Sequence, residues 1–153
     1  MKPTELAYYS VGTVWGVNGD FYYLLDLIRV RLDFPALKRK VIEVYERWQL
    51  SQKPTILVED AGSGTSLAQE LRDRNIPCVP IRREGDKVMR MSAQTAKIEA
   101  GAVHLPRKAL WLDDLQSELL AFPHGLHDDQ VDSISQALNW ISRPRRQFVF
   151  GSV

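Results

Sequence analysis

The chain has 153 residues, 44% of them apolar and 25% charged, with a net charge of +1; this length suits one domain with a real core. No apolar run approaches the roughly 18–20 residues that cross a bilayer, and the N-terminus lacks the charged-then-apolar pattern of a secretory signal, so neither a membrane role nor export is expected. Cys78 is the only cysteine, which excludes an internal disulfide and a Cys-rich zinc site and points to a reducing, cytoplasmic setting.

Tyr9 to Val17 alternates loosely and is rich in Val, Thr, Tyr and Trp. Asn18-Gly19 follows, a strong hairpin signal, and Phe21 to Ile28 reads as the return strand. Phe34-Pro35 opens a helix with proline in its first turn, and Leu37, Val41, Val44, Tyr45 and Trp48 share one face. Lys53-Pro54 breaks it. Thr55 to Glu59 is short and apolar, the pattern of a buried parallel strand. Gly62-Ser63-Gly64 makes a turn, with Thr65 or Ser66 as cap of the next helix. The turn's backbone N–H groups offer a place for a phosphate, although a plain strand-to-helix turn explains it as well. Pro77 to Ile81 is a second short strand. Asp86 caps a helix from Lys87 to about Ala100, which Gly101 ends. Val103 to Leu105 is brief and extended. A helix from about Trp111 to Phe122 carries Leu112, Leu115 and Leu119, and Pro123-His124-Gly125 ends it. The last helix starts near Asp128, with Val131, Ile134, Leu138 and Ile141 on its apolar face. Trp15, Trp48, Trp111 and Trp140 fall on apolar faces and read as core; His104 and His124 read as structural. A hairpin followed by alternating helices and strands predicts a mixed α/β sheet with helices on its faces, in which sites form at the carboxyl ends of strands.

The chemistry concentrates in two places. Glu59-Asp60 ends an apolar strand, and His127-Asp128-Asp129-Gln130-Val131-Asp132 opens a helix. Acids at a strand end and at a helix start can meet at one sheet edge. There they can hold hard divalent cations such as Mg²⁺ or Mn²⁺, two of which stabilise the attacking and departing oxygens of a phosphodiester. The helix alone permits a plainer reading, with Asp128 as a cap and Asp129 as a first-turn acid that favours the helix dipole. His127 either orients one of the carboxylates or is a surface loop residue. Basic residues cluster at Lys38-Arg39-Lys40, at Arg82-Arg83 with Lys87 and Arg90, and at Arg143, Arg145 and Arg146. Arg82, Arg83, Lys87 and Arg90 are candidates for DNA phosphates, the alternative being a solvated face.

An ordered set of segments carries a family resemblance: Tyr9-Ser10-Val11-Gly12, Tyr23-Leu24-Leu25-Asp26 with Arg29, Val58 to Gly64, Asp86-Lys87 with Arg90, Phe122-Pro123-His124-Gly125, and His127 to Asp132. From about Tyr9 to Trp140 the chain resembles the C-terminal nuclease domain of phage terminase large subunits, the DNA-packaging motors of tailed phages. The resemblance implies an RNase H-like nuclease domain over residues 1–142, followed by a basic C-terminal tail, 143–153. It implies a two-metal endonuclease that cuts concatemeric double-stranded DNA in the bacterial host cytoplasm. It further implies an ATPase domain, a portal and a small terminase subunit as partners. By motif match Glu59, Asp128 and Asp129 are the catalytic acids, and Asp60 and Asp132 join them as metal ligands.

The family's first acid lies on a strand upstream of the Tyr-Ser-Val-Gly segment, a strand that would here precede Met1. The nearest upstream acid, Glu5, sits in a stretch that reads as loop. Nothing in the chain matches the phosphate-binding loop of the packaging ATPase. On this reading the chain is N-terminally truncated and its cleavage impaired, and the alternative is an inactive prophage remnant that binds DNA or a partner. Without that strand two sheet edges face a gap, closed by a terminal segment or by self-association.

Overall fold

The computed structural model describes residues 8–142. Two β-strands, β1 (Ser10–Asn18) and β2 (Phe21–Val30), form an antiparallel hairpin. Asn18 ends β1 and pairs with Phe21, so the turn itself is Gly19-Asp20, one residue later than the Asn-Gly signal suggests. Gly19 takes φ +60° and Asp20 does not take a positive φ. That is the II′ pattern, which needs glycine at the first central position. Val14 pairs with Asp26 and Trp15 with Leu24, which leaves Leu25 as an extra residue on β2. This bulge switches the inward-facing phase of the strand. It explains how Leu24 and Leu27, of opposite parity, are both buried while Leu25 is exposed.

α1 (Phe34–Trp48) begins where Asp33 caps it by accepting the Ala36 N–H at 3.0 Å, with Pro35 in the first turn. β3 (Ile56–Glu59), α2 (Ser63–Asp73) and β4 (Cys78–Ile81) then make a parallel β-α-β unit. α2 starts at Ser63 behind Gly62, earlier than a Thr65 or Ser66 cap requires, and no side chain caps it. Instead the Thr65 hydroxyl donates to Asp60 Oδ1 at 3.0 Å. The single helix expected from Lys87 to Ala100 is two short ones, α3 (Lys87–Ser92) and α4 (Thr95–Glu99). Asp86 caps the first, accepting the Met89 N–H. The break places Gln94 in the interior, where its Oε1 accepts a bond from Lys97. β5 (Val103–His104) pairs in parallel with β2. α5 (Leu112–Ala121) and α6 (Asp129–Ile141) complete the described chain.

The result is a mixed α/β fold whose strands fall into a three-stranded sheet, β1-β2-β5, and a two-stranded sheet, β3-β4. Each sheet has its own apolar core. Tyr45, Val58, Leu67, Ala68, Leu71 and Ile76 join α1 and α2 to the small sheet. Leu24, Leu27, Leu115, Ile134 and Leu138 join α5 and α6 to the larger one, with Trp15 and Trp111 packed alongside. Each buried valine, leucine or isoleucine among them contributes roughly 1.5–3 kcal/mol. Among the described residues, β1 and β3 each have a strand partner on one side only. The terminal segments expected to close that gap, and the basic tail, lie outside the described residues. α6 lies against β1 and against α3, so it spans the seam between the two halves.

Candidate functional site

The polar residues gather at that seam. Glu59 is the last residue of β3, where a parallel strand delivers its side chain to the sheet's carboxyl edge. The backbone behind it is held tightly. Gly62 takes φ +55° with ψ −131°, a region that residues with a Cβ rarely enter. Gly64 packs so closely that a Cβ there would stand 2.0 Å from the Glu59 carbonyl oxygen. The Gly64 N–H is spent on the Ala61 carbonyl at 3.0 Å, so this turn serves the approach of α2 to the strand end. Gly64→Ala must therefore shift the backbone of Glu59. We expect it to destabilise the fold by about 1–3 kcal/mol, as overpacking does, and to lower any Glu59-dependent activity in parallel. Thermal denaturation checks the first effect, and an unchanged melting temperature would contradict it.

The start of α6 is built in an unusual way. Asp128 occupies the cap position, yet its side chain makes no capping bond. The buried Glu118 of α5 supplies that bond: its Oε2 accepts the Val131 N–H at 2.7 Å and its Oε1 accepts Gln130 Nε2 at 3.0 Å. A carboxylate from a neighbouring helix thus satisfies an orphan donor of the first turn and leaves Asp128 free for other partners.

Those partners are cations. Lys87 Nζ lies 2.5 Å from Asp128 Oδ1 and 4.0 Å from Asp129 Oδ1. Arg83 Nε donates to Glu59 Oε1 at 2.7 Å, while its terminal nitrogen stands 3.6 Å from Asp132 Oδ2. Arg90 grips Asp132 Oδ1 through Nε at 3.1 Å and a terminal nitrogen at 2.6 Å, and its other terminal nitrogen donates to the Gly85 carbonyl at 2.7 Å. The Gln136 amide, one turn beyond Asp132, reaches both Glu59 Oε2 at 3.4 Å and Asp132 Oδ2 at 3.3 Å. Burial works to lower the Arg83 pKa. The bond to Glu59 and the fields of Glu59, Asp132 and Asp129 outweigh it and hold the guanidinium above its ordinary value.

The fold therefore brings Glu59 and Asp132 onto one amide and one guanidinium, with Asp129 in the field of the same guanidinium. Asp128 and Asp129 share Lys87. Asp60 turns aside to Thr65, and its N–H bonds the Ile81 carbonyl. The His127 ring stands edge-on to Tyr9, with centroids 5.6 Å apart, instead of bonding a carboxylate among the described residues. Of the four basic residues that are candidates for DNA phosphates, Arg83, Lys87 and Arg90 are engaged with acids. Arg82 is exposed and lines a cavity of about 250 Å³ with Met89, Gln94, Gln136 and Trp140. No three His, Cys, Asp or Glu side chains are gathered into a ligand cage among the described residues; the acids are spaced by the cations between them. Sequence reasoning missed Gln136 and Glu118. Gln136 follows Asp132 by four residues, the spacing that stacks side chains on one helix face, and that signal was available. Nothing local marks Glu118 as a cap for a helix that starts eleven residues later.

A family model described as the terminase RNaseH-like domain matches residues 8–140. A search among curated proteins found no match. The matched stretch includes both hydrophobic cores and every acid at the seam, and the chain belongs to the terminase RNaseH-like domain family.

Proposed function

We propose that this domain is a metal-dependent DNA endonuclease of a viral packaging terminase, cutting concatemeric double-stranded DNA by two-metal phosphodiester hydrolysis. The observation that carries the reading is the position of Arg83, one guanidinium 2.7 Å from Glu59 and 3.6 Å from Asp132, acids that come from two different elements. Carboxylates from the end of β3 and the start of α6 thus converge on one guanidinium.

RNase H-like nuclease domains generally use divalent metals, and the donor set fits. Glu59, Asp128, Asp129 and Asp132 offer only carboxylate oxygens, the ligands that Mg²⁺ and Mn²⁺ prefer. Asp60 is an adjacent reserve. When bound, such ions supply charge stabilisation to the oxygens of the scissile phosphodiester and a more acidic water. The side chains divide the remaining work. The Arg83 side chain is 47% exposed, so it can leave the acids for solvent or for a phosphate at small desolvation cost. The Arg90 side chain is 11% exposed and has three bonds, so it stays and fixes Asp132. Gln136 holds the spacing of Glu59 and Asp132.

Thermal denaturation with added Mn²⁺ or Mg²⁺ tests this reading, run beside plasmid nicking. A ligand at about 100 times its Kd stabilises the folded state by about 2.7 kcal/mol, which raises Tm by several degrees in a domain of this size. A flat Tm together with intact plasmid would overturn the proposal.

One observation favours a second reading: three cations already neutralise the acids. A non-catalytic module of the same fold would bind DNA or a partner with salt-sensitive affinity and give no metal response. Under either reading the partners are double-stranded DNA and, in a packaging motor, an ATPase domain, a portal and a small subunit in the bacterial host cytoplasm. Self-association would use the open edges of β1 and β3.

A further inference from the structure

The hairpin carries a cationic device that none of the acids uses. Ser10 pairs with Val30 and Val11 with Arg29, so Tyr9 precedes β1 opposite Arg31. Residues two apart on a strand share a face, which places Arg29 and Arg31 together. Both guanidinium carbons lie against the Tyr9 ring, at 3.8 Å and 4.0 Å from its centroid. The same ring meets the His127 imidazole edge-on at 5.6 Å. His127 is followed directly by Asp128, so this patch abuts the acids at the start of α6.

Neither Arg29 nor Arg31 has a carboxylate partner or a side-chain hydrogen bond among the described residues. Arg83 and Arg90 do, and Lys87 does. Two like charges on one ring repel each other, and the ring's quadrupole compensates only part of that repulsion. Planar guanidinia present paired N–H groups that match phosphate oxygens. A tyrosine that orients both of them removes much of the ordering otherwise lost on binding.

We propose that Arg29 and Arg31, oriented by Tyr9, clamp a backbone phosphate of the DNA strand next to the one held at the acids. The ligand is a phosphodiester in a polynucleotide, and the inference rests on the DNA-cutting reading above. Arg29 and Arg31 position the strand, and they touch no reacting atom. The sequence offers Arg82, Arg83, Lys87 and Arg90 as candidates for phosphate contacts, with a solvated face as the alternative. Most of that set is turned inward to the acids, which shifts part of the DNA-gripping role to the hairpin.

The test is fluorescence anisotropy with a labelled 20-base-pair duplex in EDTA across a salt series. Removing metal separates binding from cleavage. Arg29→Gln/Arg31→Gln is expected to weaken binding about tenfold or more and to flatten the slope of log K against log salt by about 1, the share of the one phosphate the pair neutralises. Arg31→Glu alone, at an exposed position, is expected to weaken binding further without altering Tm, which guards against misfolding of the double variant. Lysine at both positions is expected to restore the salt slope but only part of the affinity. Tight wild-type binding that both variants leave unchanged overturns the clamp while the nuclease reading stands. Wild-type protein that binds no duplex overturns the clamp as well, and Mn²⁺-dependent stabilisation then decides the fate of the nuclease reading separately. Equal affinity for polyglutamate would overturn the assignment to phosphate.

Discussion

Asp132→Ala is expected to destabilise the domain by about 3–5 kcal/mol, the usual result of stripping one partner from a buried ion pair. The Asp132 side chain is 6% exposed and that of Arg90 is 11% exposed. Asp132 accepts two bonds from Arg90 on Oδ1 and one from Gln136 on Oδ2. Removing the carboxylate leaves Arg90 enclosed with the Gly85 carbonyl as its remaining hydrogen-bond partner among the described residues. The adjoining cavity is lined by Arg82, Gln94, Gln136 and Asn139, so water can enter and soften the penalty. That places the loss at the lower end of the range, near 3 kcal/mol, or roughly 6–12 °C in Tm for a domain of this size. Urea denaturation measures it directly. Replacing both partners, Asp132→Leu with Arg90→Met, is expected to recover most of the loss, because an apolar pair of similar volume avoids the cost of stranded charge. A single variant within 1 kcal/mol of wild type would mean that the pair contributes only as an exposed one does. The contrast matters for function. Asp132 joins the acids to α3 through Arg90, so its loss loosens the start of α6 as well as removing a candidate ligand. Its effect on cleavage cannot be read as chemistry alone.

The alternating pattern of short apolar strands and amphipathic helices was legible because each period reports a local geometry. The hairpin, α1, β3, β4 and α6 all lie within a residue or two of where their sequences place them, whereas α2 starts at least three residues before the helix that a Thr65 or Ser66 cap would give. The bulge at Leu25 was not legible, since an extra residue is visible only once the register against β1 is known. The break between α3 and α4 escaped for a related reason: the burial of Gln94 is decided by what packs around it, and glutamine is an ordinary helix former. The acid cluster was legible as a set of residue types on suitable elements. Its pairing was not. Lys87, Arg83 and Arg90 read as a DNA-facing surface because sequence shows a run of cations without showing which way they turn. The Arg29-Arg31 pair gave the opposite impression. Two arginines at the end of a strand look unremarkable until Tyr9 is seen between them and the start of α6.

Glu59→Gln is expected to lower Mn²⁺-dependent nicking on the order of 10²-fold or more, since the charge stabilisation at stake in such sites is several kcal/mol. The substitution is chosen because it leaves the fold alone. The Glu59 side chain is 31% exposed and its principal partner, Arg83, is 47% exposed. A pair so open to solvent contributes about 0–1 kcal/mol. Glutamine retains an oxygen to accept the Arg83 N–H and keeps the side-chain volume, so Tm in the absence of metal should hardly move, whereas the Mn²⁺-induced rise should shrink or vanish. DNA affinity in EDTA should stay the same or increase, because a negative charge beside a polyanion has been removed. Asp60→Asn is the paired control. Its carboxylate is turned to Thr65, and its loss should leave nicking within a few-fold of wild type. The two variants together separate the possibilities. Loss with Glu59→Gln and retention with Asp60→Asn assigns the strand-end ligand to Glu59. The reverse outcome moves that role to Asp60 and requires the β3-α2 turn to rearrange when cation binds. Full nicking in both variants places the chemistry away from the end of β3, and the convergence of Glu59 and Asp132 on Arg83 would then be a structural ion cluster holding the two halves of the domain together.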